Sequence, residues 1–197
     1  MVVPLHVFEP RYRQMVSDAV ERGRMIAVCH TKKKIRSAKD GQTMEDALNN
    51  NQATYQPYDV FSAGQCEIVD KTSDGRVYAQ VSMSKRLKFV NEVQTLPYRI
   101  ATCSELKDTG DLVSSEELQR SQTATVDALH NLIKKDNSNS ASGFDREEWL
   151  ERTPEQFSFE VFQLVHFEAD VMQSVLEQTS PLQRLQTIEA LICHGMT

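Results

Sequence analysis

The side chains best able to hold a metal or attack an electrophile are four cysteines and five histidines. Cys29, Cys66, Cys103 and Cys193 stand at least 37 positions apart, so no CxxC or CxH pair exists. Structural zinc sites are built from such local pairs. His6, His30, His130, His166 and His194 form neither HExxH nor HxxxH. Cys193 and His194 are adjacent, but successive helical residues point about 100° apart and do not share a metal. A hydrolytic Cys-His pair built on Cys29 or Cys66 needs a histidine and an oxyanion donor pair supplied by the fold, and stays open here. The seven glycines are never closer than 11 positions. Phosphate loops need several glycines within about eight residues so that backbone N–H groups converge on an anion. GxxxxGK[ST], GxGxxG and GxSxG are all absent. Glu116-Glu117 and Glu147-Glu148 are neighbours, not facing carboxylates. No catalytic residue, metal ligand or cofactor is assigned.

The chain has 197 residues, 40% of them hydrophobic. Its longest apolar run, Met25 to Cys29, falls far short of the ~20 residues that cross a bilayer. The opening Met1-Val2-Val3-Pro4-Leu5-His6 lacks the basic and apolar regions of an export signal. The expectation is a cytoplasmic chain with reduced thiols, Cys29 and Cys193 serving as small core residues. Residues 1–100 hold 15 basic and 11 acidic side chains, net +4; residues 101–197 hold 7 and 17, net −10.

The elements divide in the same way. Pro10 suits a first helical position, and Tyr12, Met15, Val16, Ala19 and Val20 mark one apolar face closed by Gly23. A strand is expected at Met25–His30. Residues 31–58 read as a long polar loop with one helical turn near Met44–Leu48, and the run Lys32-Lys33-Lys34-Ile35-Arg36 as solvated. Strands follow at Phe61–Val69, Arg76–Met83, Leu87–Val93 and Tyr98–Ser104, the first two joined by the turn Thr72-Ser73-Asp74-Gly75. The second half is helical. Ser114-Ser115-Glu116-Glu117 is a capping box, and Asn137–Gly143 is a flexible link. Thr153-Pro154-Glu155-Gln156 and Ser180-Pro181-Leu182-Gln183 repeat a start signal of hydroxyl cap, Pro and Gln. Leu182, Leu185, Ile188 and Leu191/Ile192 form a buried stripe. The fold class is α+β, with a β-rich domain at 1–104 and a helical subdomain at 105–197.

Collinear stretches carry a family resemblance. Pro4-Leu5-His6-Val7-Phe8-Glu9-Pro10-Arg11-Tyr12, Gly64-Gln65-Cys66-Glu67-Ile68-Val69, Asp74-Gly75-Arg76, Lys85-Arg86-Leu87-Lys88-Phe89 and Pro97-Tyr98-Arg99-Ile100-Ala101 follow in order. The tail adds Val175-Leu176-Glu177 and Ser180-Pro181-Leu182-Gln183-Arg184-Leu185. Together they resemble the Lon protease N-terminal domain family, in a stand-alone form. The resemblance implies a PUA-like β pseudobarrel followed by a helical subdomain, recognising substrate proteins without catalysis. Ser84-Lys85, as strand neighbours facing opposite ways, are no protease dyad. Members of the family carry an apolar strand before the Pro-Leu-His segment, where this chain begins. A barrel short of that strand exposes an edge that invites a second copy into a homodimer. The family also has a glycine near Ser82-Met83 that is replaced here.

The expected function is a non-catalytic protein-recognition module for unfolded or hydrophobic segments, with a separate ATP-dependent protease as a further partner. Peptide-binding candidates are Phe8, Tyr12, Arg86, Phe89, Tyr98 and Arg99, with Phe8, Tyr12 and Tyr98 as aromatic anchors in a groove between barrel and bundle. Glu9 and Arg11 adjoin them; Glu9 reads as a partner of the helix dipole. RNA binding by a PUA-like barrel is the alternative, but the chain's acidity argues against nucleic acid. No membrane partner is expected.

Overall fold

The computed structural model describes residues 1–36, 43, 54–110, 113–135 and 144–194. The chain divides into two compact units, Met1–Leu106 and Lys107–Thr197. In the first, β1 (Val2–Val7), α1 (Pro10–Glu21), β2 (Met25–Val28), β3 (Thr31–Arg36), β4 (Thr54–Pro57), β5 (Val60–Lys71), β6 (Val77–Gln94) and β7 (Ile100–Glu105) follow in order. All pairings are antiparallel. The main sheet runs β1-β6-β5-β2, with β7 also on β6, and its path ends at β1 and β2 rather than closing into a ring. This is the expected α+β class, an antiparallel pseudobarrel followed by helices. The core of the unit is Val7, Val16, Ala19, Ile26, Val77, Ala79 and Val81.

Three strand assignments change. The stretch read as polar loop contains β3 and β4, which pair as a separate two-stranded sheet. Cross-strand hydrogen bonds supply what the sequence pattern, dominated by lysine, does not advertise. The helical turn near Met44–Leu48 and the link Asn137–Gly143 lie outside the described residues. The strands read at Arg76–Met83 and Leu87–Val93 are one strand of 18 residues, β6. Finally, the Pro-Leu-His segment is itself a strand. Met83 N–H donates to Met1 O at 2.9 Å, which makes 1↔83, 3↔81, 5↔79 and 7↔77 the hydrogen-bonded pairs. Pro4 therefore occupies an outward-facing backbone position, where its missing N–H removes no ladder bond.

β6 is shared. β5 accompanies it from Val77 to Lys88 on one side; β1 and then β7 take the other. Opposite Gly64 the register slips by one residue, leaving Ser84 as the extra residue on β6. The backbones come so close that a Cβ on Gly64 would sit 1.9 Å from Ser82 O and 2.5 Å from Ser82 C. The hairpin before β6 turns on Gly75 (φ 88°). Asp74 accepts from the Thr72 hydroxyl (2.5 Å) and Arg76 Nε (2.9 Å), and these bonds hold its carboxyl down at about 2.

α1 starts at Pro10 and passes into Gly23 (φ 61°), as its sequence signals require. Only Val16 and Ala19 are buried on it. Tyr12 and Val20 are exposed, because the contact is one stripe two residues wide rather than the broad face expected.

The second unit holds α2 (Ser115–Lys135), α3 (Arg146–Leu150), α4 (Pro154–Glu160), a 3₁₀ turn at Val161–Gln163, α5 (Ala169–Glu177) and α6 (Pro181–His194). Three hydroxyl caps read from sequence accept backbone N–H groups: Ser114 from Glu117, Thr153 from Gln156 and Ser180 from Gln183. Val126, Leu129, Trp149, Phe157, Val161, Val175, Leu185, Ile188 and Ile192 form the core. Cys193, expected there, is exposed, since one residue beyond buried Ile192 is a turn of about 100° on a helix.

Arg184 lies fully buried in that core. Its two terminal nitrogens reach Asp108 Oδ1 and Oδ2 at 2.6 and 2.7 Å, its Nε donates to Ser158 Oγ (2.9 Å), and Nη1 also donates to Gln178 O (3.0 Å). The guanidinium stacks 4.2 Å from the Phe159 ring. Every face of the charge is occupied.

Two expected outcomes follow. Gly64→Ala forces β5 away from β6 and lowers stability by about 3 kcal/mol, read as a fall in urea midpoint by circular dichroism. Asp108→Ala leaves Arg184 buried with no counter-charge and costs about 3 kcal/mol in unfolding followed by Trp149 fluorescence.

Candidate functional site

β5 stops pairing at Val60↔Lys88, and Phe89 N–H donates to Asp59 O at 2.7 Å. Beyond that point β6 pairs only with β7, forming a hairpin end of two strands. Its register slips twice, between Phe89/Asn91 and Glu92/Gln94, so Val90 and Val93 are each an extra residue on β6. The first slip moves the inward phase from Phe89 to Glu92 and Gln94, which are half-buried. Val90 and Val93 turn outward, 56% and 64% exposed, and Leu96 in the connection is 77% exposed. Three large apolar side chains thus crowd a seven-residue stretch, a concentration that marks interaction surfaces.

The hairpin is braced from below. Gln94 Nε2 donates to Tyr98 O (2.9 Å), Arg99 Nε to Glu92 Oε1 (2.5 Å), and Arg86 Nε to Leu106 O (3.2 Å). Tyr98 OH donates to Asp18 Oδ2 at 2.5 Å, tying the return strand to α1. That bond to a carboxylate raises the phenol's pKa, so it keeps its proton.

Of the six residues predicted from sequence, Arg86, Phe89, Tyr98 and Arg99 share this hairpin. Phe8 and Tyr12 stand at the β1–α1 corner. Tyr98 is a correction: it is only 7% exposed and cannot present its ring to a ligand, because its hydroxyl is spent on Asp18. Phe89 is half-buried. Phe8 is half-buried, edge-on to His6 at 6.0 Å, and His6 in turn stacks on Tyr78 at 4.7 Å. Tyr12 is exposed, with the Arg11 guanidinium 4.6 Å from its ring. Glu9 is buried and accepts both Arg11 Nε and Nη2 at 3.0 Å; it makes no side-chain cap on α1. Arg99 is exposed, and its charge is felt at Tyr12.

Sequence reading missed Val90, Val93, Leu96 and Tyr55. A usable signal was present for the first pair: two valines three apart in a strand cannot share a face unless a residue is bulged out. Tyr55 was hidden in the supposed loop.

Burial disfavours ionisation of three of the four thiols. Burial, reinforced by Cys103, pushes Cys29 up to about 12, and burial also raises Cys66 and Cys103. Among the described residues no histidine hydrogen-bonds to Cys29 or Cys66, and no group of three or more His, Cys, Asp and Glu side chains is placed to hold a metal. No helix among them is long and apolar enough to cross a membrane.

Residues 1–194 match the family model described as the ATP-dependent protease La (LON) substrate-binding domain. The chain belongs to that family. Two solved members share the fold of this LON domain. A Lon N-terminal domain protein from Xanthomonas campestris superposes with a TM-score of 0.59 at 17% identity, covering 96% of this chain and 89% of that one. The N-terminal domain of Mycobacterium avium complex Lon protease gives 0.61 at 14% identity, covering 100% and 91%. No curated protein matches. At such identities the likeness carries architecture, and the hairpin residues of this LON domain have to be argued from their own geometry.

The thiol environments give a direct expectation. At pH 8 iodoacetamide modifies exposed Cys193 first and Cys29 last, since a group titrating at about 12 is thiolate to only about one part in ten thousand there. Peptide mass spectrometry of timed aliquots reads the order, and the Cys29 rate rises about tenfold per pH unit up to pH 11.

Proposed function

We propose that this LON substrate-binding domain recognises exposed apolar segments of other polypeptides and does not alter them. The observation that carries the reading is the braced hairpin end with Val90, Val93 and Leu96 facing solvent. Apolar area left in water by a rigid scaffold is recovered on binding at roughly 25 cal/mol per Å². Because the bulges and the Gln94–Tyr98 bond set the backbone in advance, little ordering entropy opposes docking. Tyr12, with Arg11 beside its ring, extends the surface toward the β1–α1 corner. Arg99 and Arg86 rim it with positive charge. A separate ATP-dependent protease acting on what this chain holds is the partner that the family relationship supports.

The test is calorimetric titration with a reduced, alkylated and permanently unfolded model protein. The expected result is micromolar binding by the natural chain and at least tenfold weaker binding by Val93→Asp/Leu96→Asp. Both side chains are exposed, so the unfolding midpoint of the variant stays within about 0.5 kcal/mol of the parent. Equal affinity of parent and variant removes the hairpin as the site; no binding by either removes the function.

A further inference from the structure

We infer that the segments held at the hairpin end are taken as an added strand along the outer edge of β7; this deepens the protein-recognition reading and rests on it. Leu106 N–H donates to Arg86 O at 2.8 Å, so the backbone groups of Leu106 face β6, and by alternation so do those of Ser104, Thr102 and Ile100. Both register slips put the extra residue on β6, and the alternation therefore runs unbroken along β7. Ala101 and Cys103 turn their N–H and C=O groups the other way. Among the described residues no backbone group pairs with them on that side, and Ala101 O meets only the Cys103 thiol, at 3.9 Å. Ala101, Thr102 and Ser104 are exposed, so the edge is open to solvent.

Other edges of the same sheet are blunted, as edge strands of folded proteins usually are. β1 places Pro4 at an outward backbone position, and β2 is four residues long. β5 runs on past β2 with a bulged residue, Val69, and the charges Glu67, Asp70 and Lys71. From Ile100 to Ser104, β7 has no proline, no charge and no bulge. An extended chain docked here pairs its own backbone groups with those of Ala101 and Cys103, whatever its sequence. Selection for apolar side chains comes from the strand behind. Val90 is the extra residue beside Asn91↔Thr102, and Val93 the extra residue beside Gln94↔Ile100. Two strand spacings, about 10 Å, separate β6 from an added strand, and a large side chain lying over alanine or threonine crosses that gap. A second copy pairing edge to edge would bring only the same small side chains and leave the valines uncovered. The occupant is an extended apolar segment of another polypeptide.

The experiment titrates the full chain calorimetrically with a nine-residue peptide alternating valine and threonine, and with two versions N-methylated at every valine or at every threonine. Alternate N–H groups of a strand face opposite edges, so one methylated version binds at least tenfold more weakly and the other stays within threefold. Ala101→Pro removes an outward N–H without touching the β6 ladder and weakens the unmethylated peptide at least tenfold. Equal affinities for the two methylated peptides overturn the strand mode without reliance on any variant. The strand mode alone also falls if the peptide fails to bind while the unfolded model protein binds; loss of that protein in Val93→Asp/Leu96→Asp then leaves the recognition reading standing. Absence of binding by both peptide and unfolded protein removes the two together. A dimer of the natural chain in sedimentation that Ala101→Pro dissociates overturns the inference in favour of a second copy.

Discussion

The contact on which the first unit depends is the one between the backbones of Gly64 and Ser82. β6 must serve β1, β5 and β7 at once, and a strand of its length in a twisted sheet cannot keep perfect register with all three. The slip at Ser84 takes up the mismatch, and it works only because position 64 has no Cβ. The same strand slips twice more at its far end, and those slips turn Val90 and Val93 toward water. Fold and candidate site are therefore consequences of one geometric problem. A sheet built around a single long strand bulges where its neighbours change, and bulges re-aim side chains.

The helical unit solves a different problem, a charge with no access to water. Arg184 interrupts an otherwise apolar stripe, Leu185, Ile188 and Ile192, and its burial is sustained by the carboxylate, hydroxyl and carbonyl that accept its hydrogen bonds. Asp108, Ser158 and Gln178 come from three separate stretches of chain. Their convergence specifies one arrangement of the segment before α2 relative to α4 and α6. Replacing the whole group with apolar residues is a route to equal stability; removing one partner is not. The network thus serves specificity of packing more than its strength.

The helix signals were legible because they are local. A hydroxyl before a proline accepts from the backbone N–H three positions on whatever the rest of the chain does, as Thr153 and Ser180 show. The Asp74-Gly75 turn was legible for the same reason. What escaped were features set by distant partners. β3 looks like a solvated run of lysines until β4 pairs with it across residues 37–53. Tyr98 looks like a surface aromatic until Asp18, 80 residues earlier in the chain, accepts a hydrogen bond from its hydroxyl. Arg184 has no sequence signature at all, since its burial depends on three acceptors that the chain brings from elsewhere. Val90 and Val93 sit between these cases: their spacing breaks the period of two, and a bulge is the physical repair, but only the register against β7 shows where it falls.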